Sequence, residues 1–410
     1  MHSLSTVFHL YPLISRITLQ IPTQIVFFSI KFVEKRVGED VWRGEKMAEP
    51  LKNMYSRPLL EDLATRISAK DDHFDKVSFT EAVFNGHWES LSLKERMRKI
   101  TLALGQTLPK DYRNALRILQ SLGNDAQKGL FVLFPDFVEV YGLEHWEESI
   151  QALEYFTKGS TSEFAVRPFI KKDPDRMMEQ MKRWATDRDE HVRRLASEGC
   201  RPRLPWGAAL TDFKRDPSPV LEVLELLKED PSKYVRKSVA NNLNDVSKDH
   251  PDVVLAVAKR WKGQHEHTDW IIRHGCRGLL RLDVPEAYAL FNYVNSKECP
   301  QIFVDANLEA SANEIKIGDS VTLSWGVAIK EPVNGRVRFE YAIDFMKANG
   351  KSSRKKFLLL DRTFTKKETL TRHRMHHFAD LSTRKHYPGE HTVSLLANGV
   401  TLAQTTINVT

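Results

Sequence analysis

The chain has 410 residues, more than one compact domain usually contains, and its 41% hydrophobic and 28% charged residues are enough to build a buried core. This composition excludes a chain that is disordered, collagen-like or membrane-spanning as a whole. The net charge is +7, and residues 301–410 hold +5 of it, with 16 Lys and Arg against 11 Asp and Glu, which indicates an anionic partner such as nucleic acid or an acidic membrane surface.

Residues 1–46 differ in character from the rest of the chain. Their apolar stretch, residues 17–33, is interrupted by polar residues and a proline, and it is too short and too polar to span a bilayer. No small-residue cleavage site follows it, which disfavours a secretory signal, and Met47 begins a polar segment typical of a protein start. We therefore predict that residues 1–46 are an extension outside the fold. The alternative is a weakly membrane-associated leader.

From residue 59 to residue 293 the sequence predicts one helix after another. Apolar residues recur at spacings of three and four, which is the pattern of amphipathic helices. Asp-Pro pairs, in which Asp caps a helix and Pro occupies its first turn, add predicted helix starts. The clearest helical segments are residues 91–105, 111–122 and 174–186, and the Asp-Pro pairs begin at residues 173, 216 and 230.

Three of these helical segments resemble one another. Their aligned arginines are Arg193, Arg236 and Arg273, which are 43 and 37 residues apart and follow Val or Ile. Such periods resemble HEAT repeats, whose helix pairs stack into a curved solenoid with a concave surface. Each aligned arginine either makes that surface basic or pairs with a carboxylate of a neighbouring repeat, and the sequence leaves both interpretations open.

After Asn295 the pattern changes to an alternation with period two, which indicates strands. Asn398-Gly399 lies between two such segments and predicts a hairpin turn. About 105 residues of short strands, without the two framework cysteines, predict an immunoglobulin-like sandwich. Lys355 and Lys356, with the basic run at residues 372–374, are expected in loops that contact DNA phosphates; a solvated charged face is the alternative.

The predicted fold class is therefore mainly α. Residues 47–298 are expected to form a HEAT-like helical-repeat solenoid, which is followed by a small all-β immunoglobulin-like sandwich at residues 299–410 that binds DNA. The three cysteines include no Cys-x-x-Cys pair, which fits a reducing compartment.

Familiar catalytic motifs are absent from this sequence. It contains no Gly-rich phosphate loop, no Gly-x-Ser-x-Gly elbow and no His-Glu-x-x-His. The histidines at 265 and 267, and those at 373, 376 and 377, have no further ligand at orthodox spacing, so neither a metal nor another cofactor is expected. The residues by themselves indicate an interaction scaffold.

Two longer strings bear a family resemblance. They are TSEFAVRPF at residues 161–169 and VRRLASEGCRPRLPWG at residues 192–207. Together with VANNLND at residues 239–245, they resemble the AlkC branch of the bacterial HEAT-like-repeat DNA glycosylases, some of which have an extra immunoglobulin-like domain. The resemblance extends from about residue 47 to the end. It implies a cytoplasmic, nucleoid-associated monomer with no membrane partner, which excises cationic bases such as 3-methyladenine and 3-methylcytosine from double-stranded DNA.

The resemblance also implies site residues. Glu163, Glu198 and Asp245 match the family's acidic positions. A cationic base leaves without being protonated, and preplaced carboxylates stabilise the positive charge that develops on the deoxyribose, while one of them holds the attacking water. The alternative for each acid is a structural salt bridge to an arginine of the array. The implied DNA-binding residues are Arg194, Arg201, Trp206, Arg273 and His274, in addition to Lys355 and Lys356.

Two functions of different class follow. The first is a monofunctional DNA glycosylase that uses water, because no lysine stands among the matched acidic positions and no lyase step is expected. The second is a non-catalytic HEAT-repeat scaffold that binds DNA or protein. Release of bases from methylated DNA in the presence of EDTA distinguishes the two.

Overall fold

The computed structural model describes residues 51–123, 132–381 and 384–410, so the predictions for residues 1–46 lie outside the described residues. The described chain from Leu51 to Ile302 is helical, and strands follow from Phe303. The α-helices are α1 Arg57–Ser68, α2 Lys76–Phe84, α3 Leu93–Thr107, α4 Tyr112–Ser121, α5 Leu133–Tyr141, α6 Trp146–Thr157, α7 Val166–Lys172, α8 Pro174–Ala185, α9 Glu190–Gly199, α10 Thr211–Arg215, α11 Ser218–Leu226, α12 Lys233–Val246, α13 Pro251–Trp261, α14 Glu266–Gly275, α15 Arg277–Arg281, α16 Pro285–Leu290 and α17 Cys299–Ile302.

Of the Asp-Pro pairs at residues 173 and 230, only the first provides the N-cap of a helix. Asp173 accepts a hydrogen bond from the backbone N–H of Arg176, and Pro174 is the first residue of α8, as expected for an N-cap. Before α12, however, Ser232 is the N-cap, and Asp230 lies two residues earlier and accepts from the Ser232 N–H. Asp230 therefore shapes the turn that leads into the helix and does not cap the helix itself.

Consecutive helix pairs stack as the repeat pattern predicts. Helix α12 packs between α9 and α14, and α8 packs against α11. The aligned apolar residues Val192, Val235 and Ile272 are all buried between helices, which explains why they recur. Arg193 forms a bidentate pair with Asp230 of the following repeat, with its Nε 2.6 Å from Oδ2. Arg236 donates to the backbone carbonyls of Asp230 and Pro231, so it fixes the turn that leads into its own helix, whereas Arg193 joins two repeats.

The carboxyl-terminal part is a two-sheet sandwich, as the alternation predicts. A three-stranded sheet has the order β1-β3-β6 and a five-stranded sheet has the order β2-β8-β7-β4-β5. The Asn398-Gly399 hairpin is confirmed, because both residues have positive φ values, 44° and 84°, which that tight turn requires. The strands are β1 Phe303–Ala310, β2 Glu314–Ile315, β3 Ser320–Ile329, β4 Arg336–Met346, β5 Ser352–Thr363, β6 Glu368–His377, β7 Gly389–Ala397 and β8 Val400–Val409.

Two basic runs of this sandwich lie on strands, so their prediction as loops was wrong, whereas Lys366 and Lys367 do lie in the loop between β5 and β6. Lys355 and Lys356 belong to β5, which is an edge strand of the five-stranded sheet. Arg372 and Arg374 belong to β6, an edge strand of the three-stranded sheet. Edge strands tolerate charged side chains because one side faces water, and such charges discourage pairing with another chain.

The helical part and the sandwich contact each other within one compact unit that contains all the described residues. Asp361 on β5 accepts hydrogen bonds from Arg273 on α14, at 3.1 Å, and from Tyr293, at 2.7 Å. It also pairs with Arg336 on β4, at 2.8 Å. One carboxylate therefore ties the last repeat to the sandwich. Within the described residues, no helix has both the length and the apolar character needed to cross a bilayer.

Candidate functional site

The three acids implied by the family resemblance lie in successive repeats. Glu163 occupies the turn that precedes α7, whereas Glu198 and Asp245 lie near the carboxyl ends of α9 and α12. Their side chains are 12%, 8% and 3% exposed, respectively. Carboxylates buried to this extent require partners, because an isolated buried charge is strongly unfavourable.

Two arginines lie between the three acids. Arg194 pairs with Glu163 and has its Nη2 3.5 Å from Oε1 of Glu198. Arg201 donates to the same Glu198 oxygen at 2.6 Å and to Asp245 at 2.8 Å. Guanidinium groups therefore separate the three acids and offset the repulsion among them. The half-exposed ammonium of Lys248, 3.0 Å from Asp245, adds a third positive charge at the rim.

Glu198 contacts more hydrogen-bonding and ion-pairing side chains than either of the other two acids. Its Oε2 accepts a hydrogen bond of 2.5 Å from the hydroxyl of Ser238, and its Oε1 faces both guanidiniums. Burial alone would raise the pKa of Glu198, but Arg194, Arg201 and the Ser238 hydroxyl together hold that pKa below its usual value. Glu198 is therefore a fixed negative charge at neutral pH.

Glu163 differs from the other two acids in having an oxygen available. Its Oε2 accepts from Thr161 at 2.8 Å and from Arg194. Its Oε1 is not among the buried unpartnered atoms and receives no hydrogen bond from the described residues. Glu163 can therefore accept a hydrogen bond from a water or a ligand that enters the site.

Trp206 lies in the loop between α9 and α10, adjoining this carboxylate cluster. The loop begins next to Glu198 and includes Arg201, which contacts two of the acids. The side chain of Trp206 is 50% exposed and is therefore available to a ligand. Trp206 is therefore not a buried core tryptophan.

The remaining implied DNA-binding residues lie in varied surroundings. Arg273 pairs with Asp361 of the sandwich, and Lys356 pairs with Asp283 and keeps only 9% of its side chain exposed. His274 stacks on Trp270, with ring centroids 5.1 Å apart. Lys355 is exposed on β5. None of these four belongs to the carboxylate cluster.

A group of unpaired cations near the cluster was missed by the sequence reasoning. Lys237 on α12 and Arg277 and Arg281 on α15 surround His274, and none of the three pairs with a carboxylate in the part of the chain that the structure describes. Burial and then these three cations lower the pKa of His274 to about 4, so the local potential is positive. The sequence contains a signal for Lys237 alone, because a basic residue follows the aligned arginine in every repeat (Arg194, Lys237 and His274), whereas Arg277 and Arg281 lie outside this pattern.

The histidine-rich segments of the sequence are not arranged as a metal site. Within residues 51–123, 132–381 and 384–410, no group of three His, Cys, Asp or Glu side chains is arranged to hold a metal ion. On β6, His376 is buried whereas His373 and His377 are exposed, because alternate residues of a strand face opposite sides. These histidines therefore do not converge.

Comparison with known proteins covers the helical part and the sandwich alike. Residues 81–279 match the family described as DNA alkylation repair enzyme, and residues 304–410 match the C-terminal Ig-like domain of the protein YhaZ. The chain is 48% identical over 349 residues to the uncharacterized protein YhaZ of Bacillus subtilis, over 85% of this chain and 96% of that protein. It is 33% identical, with a TM-score of 0.81, to the Pseudomonas fluorescens alkylpurine DNA glycosylase AlkC bound to DNA containing an abasic site analog, over 88% of this chain and 100% of that chain.

Proposed function

This chain belongs to the AlkC-like family of alkylation repair DNA glycosylases, and we propose that it hydrolyses the N-glycosidic bond of cationic N-alkylated bases, 3-methyladenine and 3-methylcytosine among them. The observation that supports this most directly is the cluster of Glu163, Glu198 and Asp245, in which one oxygen of Glu163 receives no hydrogen bond from the described residues. A fixed carboxylate with an available oxygen suits a developing cation and the attacking water, and it repels an anion.

In the proposed mechanism, the acids have different roles. Glu198 and Asp245 are held by Arg201 and act as fixed charges that stabilise the cation developing on the deoxyribose. Glu163 holds the attacking water through its Oε1 and accepts a proton from it as the bond to the sugar forms. The base leaves as a neutral molecule because it was already cationic, so no general acid is required.

Water is the proposed nucleophile, and the enzyme is proposed to be monofunctional. Lys248 is the lysine beside the acids, but its ammonium donates to Asp245 at 3.0 Å, and an amine must present its lone pair to attack the sugar. Borohydride trapping during the reaction should therefore give no covalent protein–DNA adduct. An adduct that forms with the parent protein but not with Lys248→Met would show that the nucleophile is the amine of Lys248 and not water.

Contacts with DNA are proposed to surround the cluster. Phosphates beside the acids are proposed to be neutralised by Lys237, Arg277 and Arg281, because none of the three forms an ion pair with a described carboxylate. The sandwich is proposed to add further phosphate contacts through exposed cations on and between its edge strands, including Lys355, Lys366, Lys367, Arg372 and Arg374. Arg273 and Lys356 are proposed to act mainly at the joint between the two parts, given their ion pairs.

The decisive experiment uses Glu163→Gln, which removes the charge and preserves the shape. Single-turnover release of bases from methylated duplex DNA, in EDTA, should slow by about a hundredfold, which corresponds to about 2.7 kcal/mol of barrier. Affinity for undamaged DNA should be retained, because no phosphate contact has been lost. Glu147→Gln is the matched control, since Glu147 is a 74% exposed acid that also pairs with an arginine; its rate should equal that of the parent chain.

The alternative function predicts a different result. If the chain is a non-catalytic DNA- or protein-binding scaffold, the parent protein will release no base above a boiled control. A normal rate for Glu163→Gln in an active parent would instead refute the role of Glu163 and leave the family function in place.

A further inference from the structure

The loop between α9 and α10 contains a tryptophan in a strained backbone conformation. Trp206 has a φ of 64°, in the left-handed region that bulky side chains rarely adopt. Half of its side chain is nevertheless exposed, so burial of the indole does not compensate for the strain. Strained residues that persist in a fold are held by their surroundings and concentrate at functional sites.

The base of this loop is held by a buried arginine. Arg167 on α7 is 2% exposed and pairs with no carboxylate of the described residues. It donates instead to the carbonyls of Gly199 and Arg201, at 3.0 and 2.9 Å, and to that of Ala208, at 2.7 Å. Because these carbonyls lie at both ends of the loop, Arg167 fixes the two ends relative to α7.

The tip of the loop is held by a second cation. The Nζ of Lys94 on α3 donates to the backbone carbonyl of Trp206 itself, across 112 residues of sequence. The same ammonium lies 4.6 Å from the centroid of the Phe164 ring, and Phe164 is the neighbour of Glu163. Lys94 therefore connects the strained tryptophan to the turn that contains the acid with the available oxygen.

We propose that Lys94 is a positioning residue for Trp206 and that it holds the indole beside the carboxylate cluster, where the indole stacks on the cationic base. An aromatic face attracts a flat cation, so a correctly oriented indole suits the charged lesion. This inference rests on the proposed function for its substrate, but the contact between Lys94 and Trp206 is independent of it.

A double-mutant cycle tests the proposal. Lys94→Met and Trp206→Ala should each slow single-turnover base release from methylated duplex DNA by about tenfold or more, with affinity for undamaged duplex retained. The double variant should be no slower than Trp206→Ala, because both changes remove the same contribution. Lys94→Arg, which can still donate to the carbonyl, should restore most of the rate.

Lys99→Met is the matched control. Lys99 lies on the same helix and also donates to a distant backbone carbonyl, that of Asn85, so its variant should release bases at the parent rate. Additive losses in the double variant would overturn the proposal. Weaker binding of Lys94→Met to undamaged duplex would do so as well, because it would make Lys94 a phosphate contact.

A second readout is independent of catalysis. The fluorescence of Trp206, obtained as the difference between the parent and Trp206→Phe, should be quenched by acrylamide to a different extent in the Lys94→Met background. If the parent releases no base but the quenching changes, the proposed function fails and the positioning role stands. If bases are released and the quenching is unchanged, the positioning role is refuted.

Discussion

At the scale of single residues, the acids of this site are held by two arginines, of which Arg201 is buried and Arg194 is largely enclosed. Burial alone would lower the pKa of Arg194 and of Arg201, but the paired carboxylates outweigh burial and raise both pKa values. Glu163 and Glu198 have this effect on Arg194, and Glu198 and Asp245 have it on Arg201. The structural salt bridge and the proposed catalytic role, which the sequence presented as alternatives, are thus compatible in the same side chains. A charge that is already fixed in place needs no reorganisation when the sugar becomes cationic.

This arrangement predicts separate effects on stability and on catalysis. Glu198→Gln leaves Arg194 and Arg201 facing a neutral amide, and breaking a buried pair in this way typically costs about 3–5 kcal/mol of unfolding free energy. Urea denaturation of this variant should show that loss, whereas Glu163→Gln, which has an unpartnered oxygen, should lose less. Glu222→Gln, an exposed acid paired with Lys182, should remain within about 0.5 kcal/mol of the parent. Equal stability of Glu198→Gln and the parent would contradict the pairing.

At the scale of elements, the sandwich contains histidines in its core. His376 on β6 and His391 on β7 are buried, and His386 lies close to both. All three pack against Phe378 in one aromatic cluster. Burial lowers the pKa of each of them, and that of His376 falls to about 3, with Arg384 as the next cause.

The sign of the resulting pH dependence follows directly. Below about pH 6.5 the unfolded chain binds protons at these rings and the folded sandwich does not, so stability that is complete above pH 6.5 is lost as the pH falls toward 3. His376 alone should contribute about 1.4 kcal/mol per pH unit. Denaturation at pH 7.5 and pH 5.5 should show a smaller loss in His376→Phe than in the parent. His373→Asn, an exposed neighbour on the same strand, should keep the parental pH dependence; equal slopes in both variants would refute the role of burial.

At the scale of the whole molecule, the distribution of charge is more informative than the total of +7. Many cations are neutralised within the fold: Arg193, Arg194 and Arg201 by acids of the array, and Arg273 by the sandwich. The cations around His274 and the exposed cations of the sandwich remain available to an anionic partner. We therefore expect DNA binding to depend on these two groups of residues.

The salt dependence of DNA binding measures how many cations take part. Lys237→Met and Arg281→Met, combined in one protein, should reduce the slope of log affinity against log salt by about 1.8, since each phosphate contact contributes about 0.9. Both side chains are exposed, so the fold should be preserved. Lys70→Met combined with Lys259→Met, two exposed lysines elsewhere on the helical part, should leave the slope unchanged. Equal slopes for the two double variants would exclude the cations around His274 from the DNA contact.

The sequence by itself determined the repeat architecture and the sandwich, and the acids were implied by the family resemblance. Periodic Val-Arg and Ile-Arg pairs reveal stacked helices, and Asn398-Gly399 reveals a hairpin, because these signals are local to a few residues. Only the tertiary structure decided the partners of the charges. Arg193 and Arg194 are neighbours in sequence, yet successive residues of a helix point about 100° apart, so Arg193 faces Asp230 of the next repeat and Arg194 faces Glu163. Which face meets a neighbouring helix and which meets the site depends on the packing of segments more than 30 residues apart.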